Sequence, residues 1–223
     1  MNKIGTAVTA LLLTIAVTDS ALTQQVSLGV RGGFNGTKVT YEGGIEELNT
    51  NWESNFHVGG LARLDLHDLF AVQLEALYTR KGSGSVWRMD PAEGKVTLTY
   101  LEIPVLAVLK VPTGSGARLT PHLFAGPTVA FELDCHLNGS WFGSPIDADC
   151  DDPDVDVQRK TTDIGLLFGG GLAIAAGPGA ILLDAMYDLG LRNLNDSSDD
   201  PNLTVKNNTF MVSAGYSIVV GGW

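Results

Sequence analysis

The sequence predicts an all-β protein, an eight-stranded antiparallel up-and-down transmembrane β-barrel with four long outer loops and short periplasmic turns. Three observations predict this fold. A secretory signal peptide begins the chain, apolar and polar residues alternate along eight later segments, and the connections between these segments alternate between long and short. Together they favour a protein that is exported and then inserted into an outer membrane as strands.

The N-terminus has the three parts of a secretory signal peptide. Lys3 supplies the positive charge, an uncharged stretch runs from Ile4 to Val17, and small residues follow at Ser20 and Ala21. The apolar stretch is shorter than the ~20 residues that a membrane-spanning helix needs. We therefore expect residues 1–23 to be a cleaved signal peptide and residues 24–223 to form one outer-membrane β-barrel domain.

The mature chain alternates with a period of two residues, as β-strands do. In the first segment Val26, Leu28 and Val30 share one face, and Arg31 and Asn35 share the other. The later apolar faces carry Trp52, Phe56, Val58 and Leu64; Phe70, Val72, Leu74 and Tyr78; Leu119, Leu123, Phe131 and Leu133; Ile164, Leu166 and Phe168; Ile181, Leu183, Tyr187 and Leu189; and Phe210, Val212, Tyr216 and Ile218. The strand from Lys95 to Lys110 is less regular, because Pro104 lacks an N–H and predicts a bulge or an edge-like defect.

Long and short connections alternate between these strands. The expected ranges are 36–51, 65–68, 82–94, 111–117, 134–157, 177–179 and 193–207. Outer-membrane barrels combine long external loops with tight periplasmic turns, so this alternation predicts that both termini lie in the periplasm. The external loops are then 36–51, 82–94, 134–157 and 193–207.

Alternation alone does not say which face contacts water. A soluble barrel such as a lipocalin hides its apolar face and shows a charged exterior. Here the polar face is rich in Gly, Ser and Thr and holds few Lys, whereas the apolar face carries aromatic residues near strand ends at Trp52, Tyr78 and Tyr187. Both features favour an apolar face in contact with lipid.

The polar face then lines the interior. The predicted interior polar network consists of Arg31, Glu53, His57, Arg63, Glu75, Arg118, His122, Glu132, Asp163, Asp184, Asp188 and Arg192. An eight-stranded barrel is just wide enough inside for side chains to fill, and buried charges persist only when they are paired. We therefore expect a crosslinked polar plug, with the room left by Gly165, Gly169 and Gly171 taken up by long Arg and Glu side chains from opposite strands.

Five motifs occur in the order in which a known family has them. They are GVRGGFN (29–35), YLEIPVL (100–106), PHLFAGP (121–127), FGGGL (168–172) and DAMYDLGLRN (184–193). Together they resemble the PorT-like, outer membrane protein beta-barrel domain family of Gram-negative bacteria, over about residues 25–220. The resemblance implies an eight-stranded outer-membrane barrel, in a family whose members are often described as porin-family proteins and mostly have no assigned activity. The tail departs from the pattern, because it places Trp223 out of phase with Tyr216 and Ile218.

The loop 134–157 has two features of its own. Cys135 and Cys150 flank it, and in an oxidising compartment they predict a disulfide. It also holds seven aspartates, at 134, 147, 149, 151, 152, 154 and 156. Alternating carboxylates suit a hard cation, but the Gly and Glu that an EF-hand loop requires are missing, so the sequence favours a solvated loop without a metal site.

Composition and motifs exclude several functions. The chain has 14 basic and 25 acidic residues and a net charge of −11, which argues against a nucleic-acid partner. It contains no P-loop, HExxH or dinucleotide motif, and the spacing of its four histidines, 57, 67, 122 and 136, singles out no catalytic set. We expect no enzyme and no cofactor, and partners limited to outer-membrane lipid and to envelope or surface proteins met by the outer loops. A structural or interaction scaffold is the leading hypothesis, and a small pore or a transport- or secretion-associated component is the alternative.

Overall fold

The computed structural model describes residues 24–42, 52–89, 92–114, 118–141, 144–152, 159–196 and 202–222. It contains nine strands: β1 (Gln25–Glu42), β2 (Glu53–Asp65), β3 (Phe70–Met89), β4 (Ala92–Lys110), β5 (Leu119–Trp141), β6 (Ser144–Asp149), β7 (Thr162–Ala176), β8 (Gly179–Gly190) and β9 (Thr204–Gly222). Within the described residues no helix combines the length and apolar character needed to cross a membrane. The expected signal peptide, residues 1–23, lies outside the described part.

The strands pair antiparallel around a closed ring. Pairing runs from β1 through β2, β3 and β4 to β5, continues through β7 and β8 to β9, and returns from β9 to β1. The short strand β6 pairs with the far end of β5. The predicted all-β, antiparallel, up-and-down architecture is therefore present: eight of the nine described strands form the ring, and β6 is additional to it. The additional strand arises because the chain folds back on β5 inside the segment predicted as loop 134–157.

Strands extend past their predicted ends on one side of the ring. β1 continues to Glu42, β3 reaches Met89 and β4 starts at Ala92, so the segment predicted as loop 82–94 is mostly strand. The remaining positions 90–91, and 43–51 of the predicted loop 36–51, lie outside the described residues. Beyond the membrane neither face must contact lipid, so pairing continues where the alternation that reveals a strand in sequence has ended. The connections on the other side are 66–69, 111–118 and 177–178.

The defect predicted at Pro104 takes a different form from a bulge. Pairing of β4 with β5 has the same register on both sides of Pro104, at Pro104–Thr128 and Ala107–Ala125. The register shift of this pair lies instead between Thr99 and Tyr100. The strand β4 is also not an edge strand, since it pairs with β3 on one side and with β5 on the other. The missing proline N–H is therefore accommodated without an extra residue.

The outside of the ring is mostly apolar, whereas the inside holds both polar and apolar side chains. On β1, Phe34 is 74% exposed and Val30 is 66% exposed, whereas Arg31 between them is 3% exposed. An aromatic row runs around the outside of six consecutive strands, which we call the aromatic girdle: Phe168, Tyr187, Phe210, Phe34, Phe56 and Tyr78. Such rows mark the interfaces of a bilayer in membrane barrels.

Candidate functional site

The interior contains a buried ionic cluster centred on Arg31. Its Nη1 atom donates to Glu75 Oε1 at 2.9 Å and to Oε2 at 3.2 Å, and its Nη2 atom contacts Asp184. His122 Nε2 lies 2.8 Å from the other carboxylate oxygen of Asp184. Gln73 donates from its amide to Glu75. We call these five residues the Arg31 cluster.

The Arg31 cluster ties four strands together across the interior. Arg31 comes from β1, Gln73 and Glu75 from β3, His122 from β5 and Asp184 from β8. The Arg31 side chain is 1% exposed and those of Glu75 and Asp184 are fully buried. Buried charges are tolerated when they are paired and hydrogen-bonded, as here, and removing one partner is costly.

A second buried cluster lies around Lys81, closer to the end with the extended strands. Its ammonium group contacts Glu102 and lies 2.9 Å from Asp188 Oδ2. Thr79 donates to Glu102 Oε2 at 2.7 Å, and the Lys81 Nζ atom lies 5.7 Å from the centroid of the Tyr100 ring. We call these residues the Lys81 cluster.

Sequence reasoning missed Lys81 and Glu102. Lys81 lies on the same face of the strand as Glu75 and Thr79, two residues after Thr79. Extending the predicted inward face by one more position would therefore have included it. Glu102 lies on the strand whose phase Pro104 obscured. Its inward direction becomes visible only when β4 is paired with β3, where Glu102 is opposite Leu77.

Apolar side chains pack beside the two clusters. The buried set comprises Ala71, Leu106, Val108, Phe124, Leu167, Met186 and Met211. Met186 also accepts a contact from Arg31 Nη1 at 3.4 Å. The interior is therefore filled by a mixture of ion pairs and apolar packing.

The glycines of β7 make room for aspartates of the adjacent strand. A Cβ at Gly165 would lie 2.5 Å from Asp188 Oδ1, and a Cβ at Gly171 would lie 2.0 Å from Asp184 Oδ1. We expected this space to hold long Arg and Glu side chains from opposite strands. The structure corrects that expectation, because the neighbouring β8 aspartates occupy the space.

Some predicted interior residues lie at the rim. Glu132 accepts from Arg159 Nε at 3.0 Å, and Glu53 pairs with Lys95. Both pairs lie toward the end with the extended strands. Arg63 is half-buried toward the opposite end and donates to Gln73 Oε1 at 2.8 Å.

Two predicted interior residues lie outside the interior. Arg118 is exposed, because β5 begins only at Leu119 and Arg118 therefore belongs to the preceding turn. Arg192 is half-buried and lies beyond the end of β8 at Gly190. Asp163, in contrast, is buried at the start of β7, where the Asn207 amide lies 3.5 Å away.

Neither interior histidine contacts a serine hydroxyl among the described residues. His122 contacts Asp184, but the other oxygen of this carboxylate is held by Arg31. Neither ring nitrogen of His57 has a hydrogen-bond partner among the described residues. A Ser–His–acid set requires a serine hydroxyl hydrogen-bonded to the histidine, and the described part of the chain shows none at either position.

A hairpin of β5 and β6 carries the disulfide and His136. Cys135 and Cys150 are joined, with 5.4 Å between their Cα atoms. His136 Nδ1 lies 3.1 Å from Asp149 and its Nε2 lies 2.6 Å from Asp147. The hydrogen bonds to Asp149 and Asp147 raise the pKa of His136. These contacts use the alternating aspartates, and within the described residues no group of three His, Cys, Asp or Glu is arranged to hold a metal.

A cavity of about 270 Å³ lies at the end with the short turns. Its lining includes Ser27, Arg63, Asp65, Pro178 and Ser217. Lys110 Nζ lies 2.9 Å from Asp65 at the same end. No residue of the Arg31 cluster lines this cavity.

The sequence matches one protein family, and the fold is similar to that of solved outer-membrane proteins. The model of a family described as "Outer membrane protein beta-barrel domain" matches residues 20–196. No protein with a curated description matches the sequence. The PorT-like relationship stays a prediction, because the matching model is that of the outer-membrane barrel domain in general.

Three solved structures illustrate the structural similarity. The outer membrane protein OprG from Pseudomonas aeruginosa is 13% identical, with 90% of this chain and 99% of that chain covered and a TM-score of 0.52. Ail of Yersinia pestis, in complex with the heparin analogue sucrose octasulfate, is 18% identical, covering 87% and 99% with a TM-score of 0.43. Neisserial surface protein A is 18% identical, covering 86% and 96% with a TM-score of 0.45. OprG shares the fold of this chain.

Proposed function

Because the chain belongs to the outer membrane protein beta-barrel domain family, we propose that it is a non-catalytic structural or interaction scaffold of the outer membrane. The proposal rests on one observation, which is that side chains fill the interior of the barrel. The Arg31 and Lys81 clusters and the apolar side chains beside them occupy the space that a diffusion channel would need. Function is then left to the outer surface and to the segments beyond the membrane.

The end with the extended strands is built to present a surface. β3 and β4 continue as a paired hairpin, and β5 with β6 forms a second one that the Cys135–Cys150 disulfide closes. Arg159 links this hairpin to the ring by contacting both Glu132 and Asp151. Loops held on a rigid scaffold are where binding residues concentrate. The partners we propose are outer-membrane lipid and envelope or surface proteins.

The proposed topology has this end outside the cell and both termini in the periplasm, after removal of residues 1–23 as a signal peptide. The short turns 66–69, 111–118 and 177–178 then face the periplasm, which is the arrangement typical of outer-membrane barrels.

Crosslinking from native membranes tests the scaffold. A photo-crosslinking amino acid at Asn138, exposed on the β5–β6 hairpin, is expected to give discrete protein adducts, and the same group at Arg118 on the opposite end serves as control. Fractionation is expected to recover the chain in the outer membrane with heat-modifiable mobility in detergent. Recovery as a soluble periplasmic protein, or adducts at Arg118 alone, would contradict the proposal.

The alternative is a small pore or a transport- or secretion-associated component. One observation favours it, the cavity of about 270 Å³ at the turn end, which opens beside Arg63 and Asp65. A path through the barrel would require the Arg31 cluster to separate. Conductance measurements distinguish the two functions.

A further inference from the structure

The outer apolar band ends in basic side chains on three strands. On β1 the outward residues Val30 and Phe34 are followed by Lys38, and on β9 Phe210 is followed by Lys206 in the same direction. On β3 the outward Tyr78 is followed by Arg80, whose guanidinium carbon lies 5.9 Å from the Phe56 ring centroid. We call Lys38, Arg80 and Lys206 the basic collar.

Two members of the collar are neighbours on the barrel wall. In the β1–β9 pairing Lys38 is opposite Asn208, and Thr40 is opposite Lys206. The lysines are therefore diagonal cross-strand neighbours on one face, a relation that places side chains roughly 7–8 Å apart. The Asn208 amide donates to the Thr40 hydroxyl at 3.2 Å. The patch combines two ammonium groups with a hydroxyl and an amide.

Among the described side chains, no carboxylate neutralises the collar. No Asp or Glu occurs between Gln25 and Thr40 or between Thr204 and Gly222. Among the described residues none of the three basic side chains forms an ion pair, although the chain as a whole has 25 acidic and 14 basic residues. The carboxylates of the membrane-crossing spans, such as Glu75 and Asp184, point inward.

We propose that the basic collar binds the phosphate of a phosphorylated lipid headgroup. This inference rests on the proposed membrane function. The aromatic girdle marks the edge of the hydrocarbon region, so the outward positions beyond it lie toward the headgroups. Arg80 is the first such position after Tyr78, and Lys38 and Lys206 are the second after Phe34 and Phe210. Lys side chains extend their stems over apolar surface and keep the ammonium group polar. Cations that form no ion pair among the described side chains complement phosphate at this depth, with Thr40 and Asn208 as adjacent polar groups.

Lipid retention by the purified, folded barrel tests the proposal. The probes are phosphatidylglycerol, lipid A and zwitterionic phosphatidylcholine, measured by native mass spectrometry in detergent. The double variant K38Q/K206Q is expected to bind lipid A about 25-fold more weakly, which corresponds to ~2 kcal/mol, and to bind phosphatidylcholine unchanged. The control R118Q removes an exposed cation at the opposite end and is expected to bind all three lipids as the wild type does.

The outcomes separate this inference from the proposed function. Unchanged lipid A retention in K38Q/K206Q, or an equal loss in R118Q, would overturn the collar while leaving a membrane barrel intact. A wild-type chain without heat-modifiable folding in detergent would instead overturn the proposed function. Millimolar inorganic phosphate is expected not to displace lipid A, and displacement would show a site for free phosphate instead.

Discussion

At the residue scale, Arg31 is the side chain on which the interior depends most. It contacts both Glu75 and Asp184, and all three side chains are at most 1% exposed. Replacing one partner leaves buried carboxylates uncompensated. R31M is therefore expected to destabilise the folded barrel by about 3–5 kcal/mol, measured by urea unfolding in lipid vesicles.

Two further variants make the Arg31 test decisive. R118M removes an exposed arginine and is expected to change stability by less than ~0.5 kcal/mol. The triple variant R31M/E75Q/D184N removes the uncompensated charge and is expected to recover most of the folding lost in R31M. A loss below about 1 kcal/mol in R31M would contradict the ion-paired plug.

Gly171 is required because it lies against the Asp184 carboxylate. A Cβ there would be 2.0 Å from Asp184 Oδ1 and 2.3 Å from the Leu183 carbonyl oxygen. G171A is expected to cost about 1–3 kcal/mol through overpacking, seen as a lower yield of the heat-modifiable form. G60A is the matched control, because the nearest atom to its Cβ would be the Gly29 carbonyl oxygen at 3.7 Å. Equal yields for the two variants would show that β7 has no such constraint.

The sequence predicts which side chains point into the barrel, but it does not predict which of them contact each other. Parity alone places Arg31, Glu75, Asp184 and Asp188 inward, because successive side chains of a strand alternate between faces. It does not show which of them meet, since Arg31 and Asp184 are distant in the chain and are joined only through the pairing of other strands.

At the element scale, the β5–β6 hairpin is held by one covalent link. The disulfide closes a separation of 15 residues, for which the entropic model gives about 3 kcal/mol. C135S/C150S is expected to make this hairpin cleavable by external protease while the ring strands stay protected. Cleavage patterns from intact cells measure this. Equal protease resistance of variant and wild type would mean that strand pairing alone orders the hairpin.

The same hairpin is expected to respond to pH through His136. Its hydrogen bonds to Asp149 and Asp147 raise its pKa above the ordinary value of 6.5. A raised pKa means that the protonated form favours the ordered hairpin, so this contribution is fully present below about pH 6.5 and is lost as pH rises through the higher pKa of the folded state. Histidine NMR titration is expected to show this pKa returning toward 6.5 in D147N/D149N. An identical titration in wild type and variant would refute the contacts.

Elements were predictable only where lipid imposes a pattern. The spans from Phe70 to Tyr78 and from Ile181 to Leu189 alternate because one face contacts lipid and the other the interior. The outer part of β3 carries no such alternation, because water surrounds a hairpin beyond the membrane. In β6, Ile146 and Ala148 do alternate with Asp147 and Asp149, but the strand is short and its aspartates favoured a solvated loop. Their existence follows from pairing, which a single sequence does not display.

At the scale of the whole molecule, the net charge does not describe the membrane-facing surface. Carboxylates such as Glu75, Glu102 and Asp188 are buried inside the ring, and the basic collar faces outward above the aromatic girdle. The net charge of −11 therefore says little about the surface that lipid would meet. The eight strands of the ring pair on both sides within the barrel wall, and ion pairs across the interior connect strands that are not adjacent.

The central claim is that the interior is sealed, and planar-bilayer recording of the purified, heat-modifiable barrel tests it most directly. Because Arg31, Glu75 and Asp184 bridge the interior beside packed apolar side chains, the wild type is expected to show no steady, large, ohmic channels. Stable porin-like conductance from the same folded preparation would contradict the sealed interior and would favour the pore.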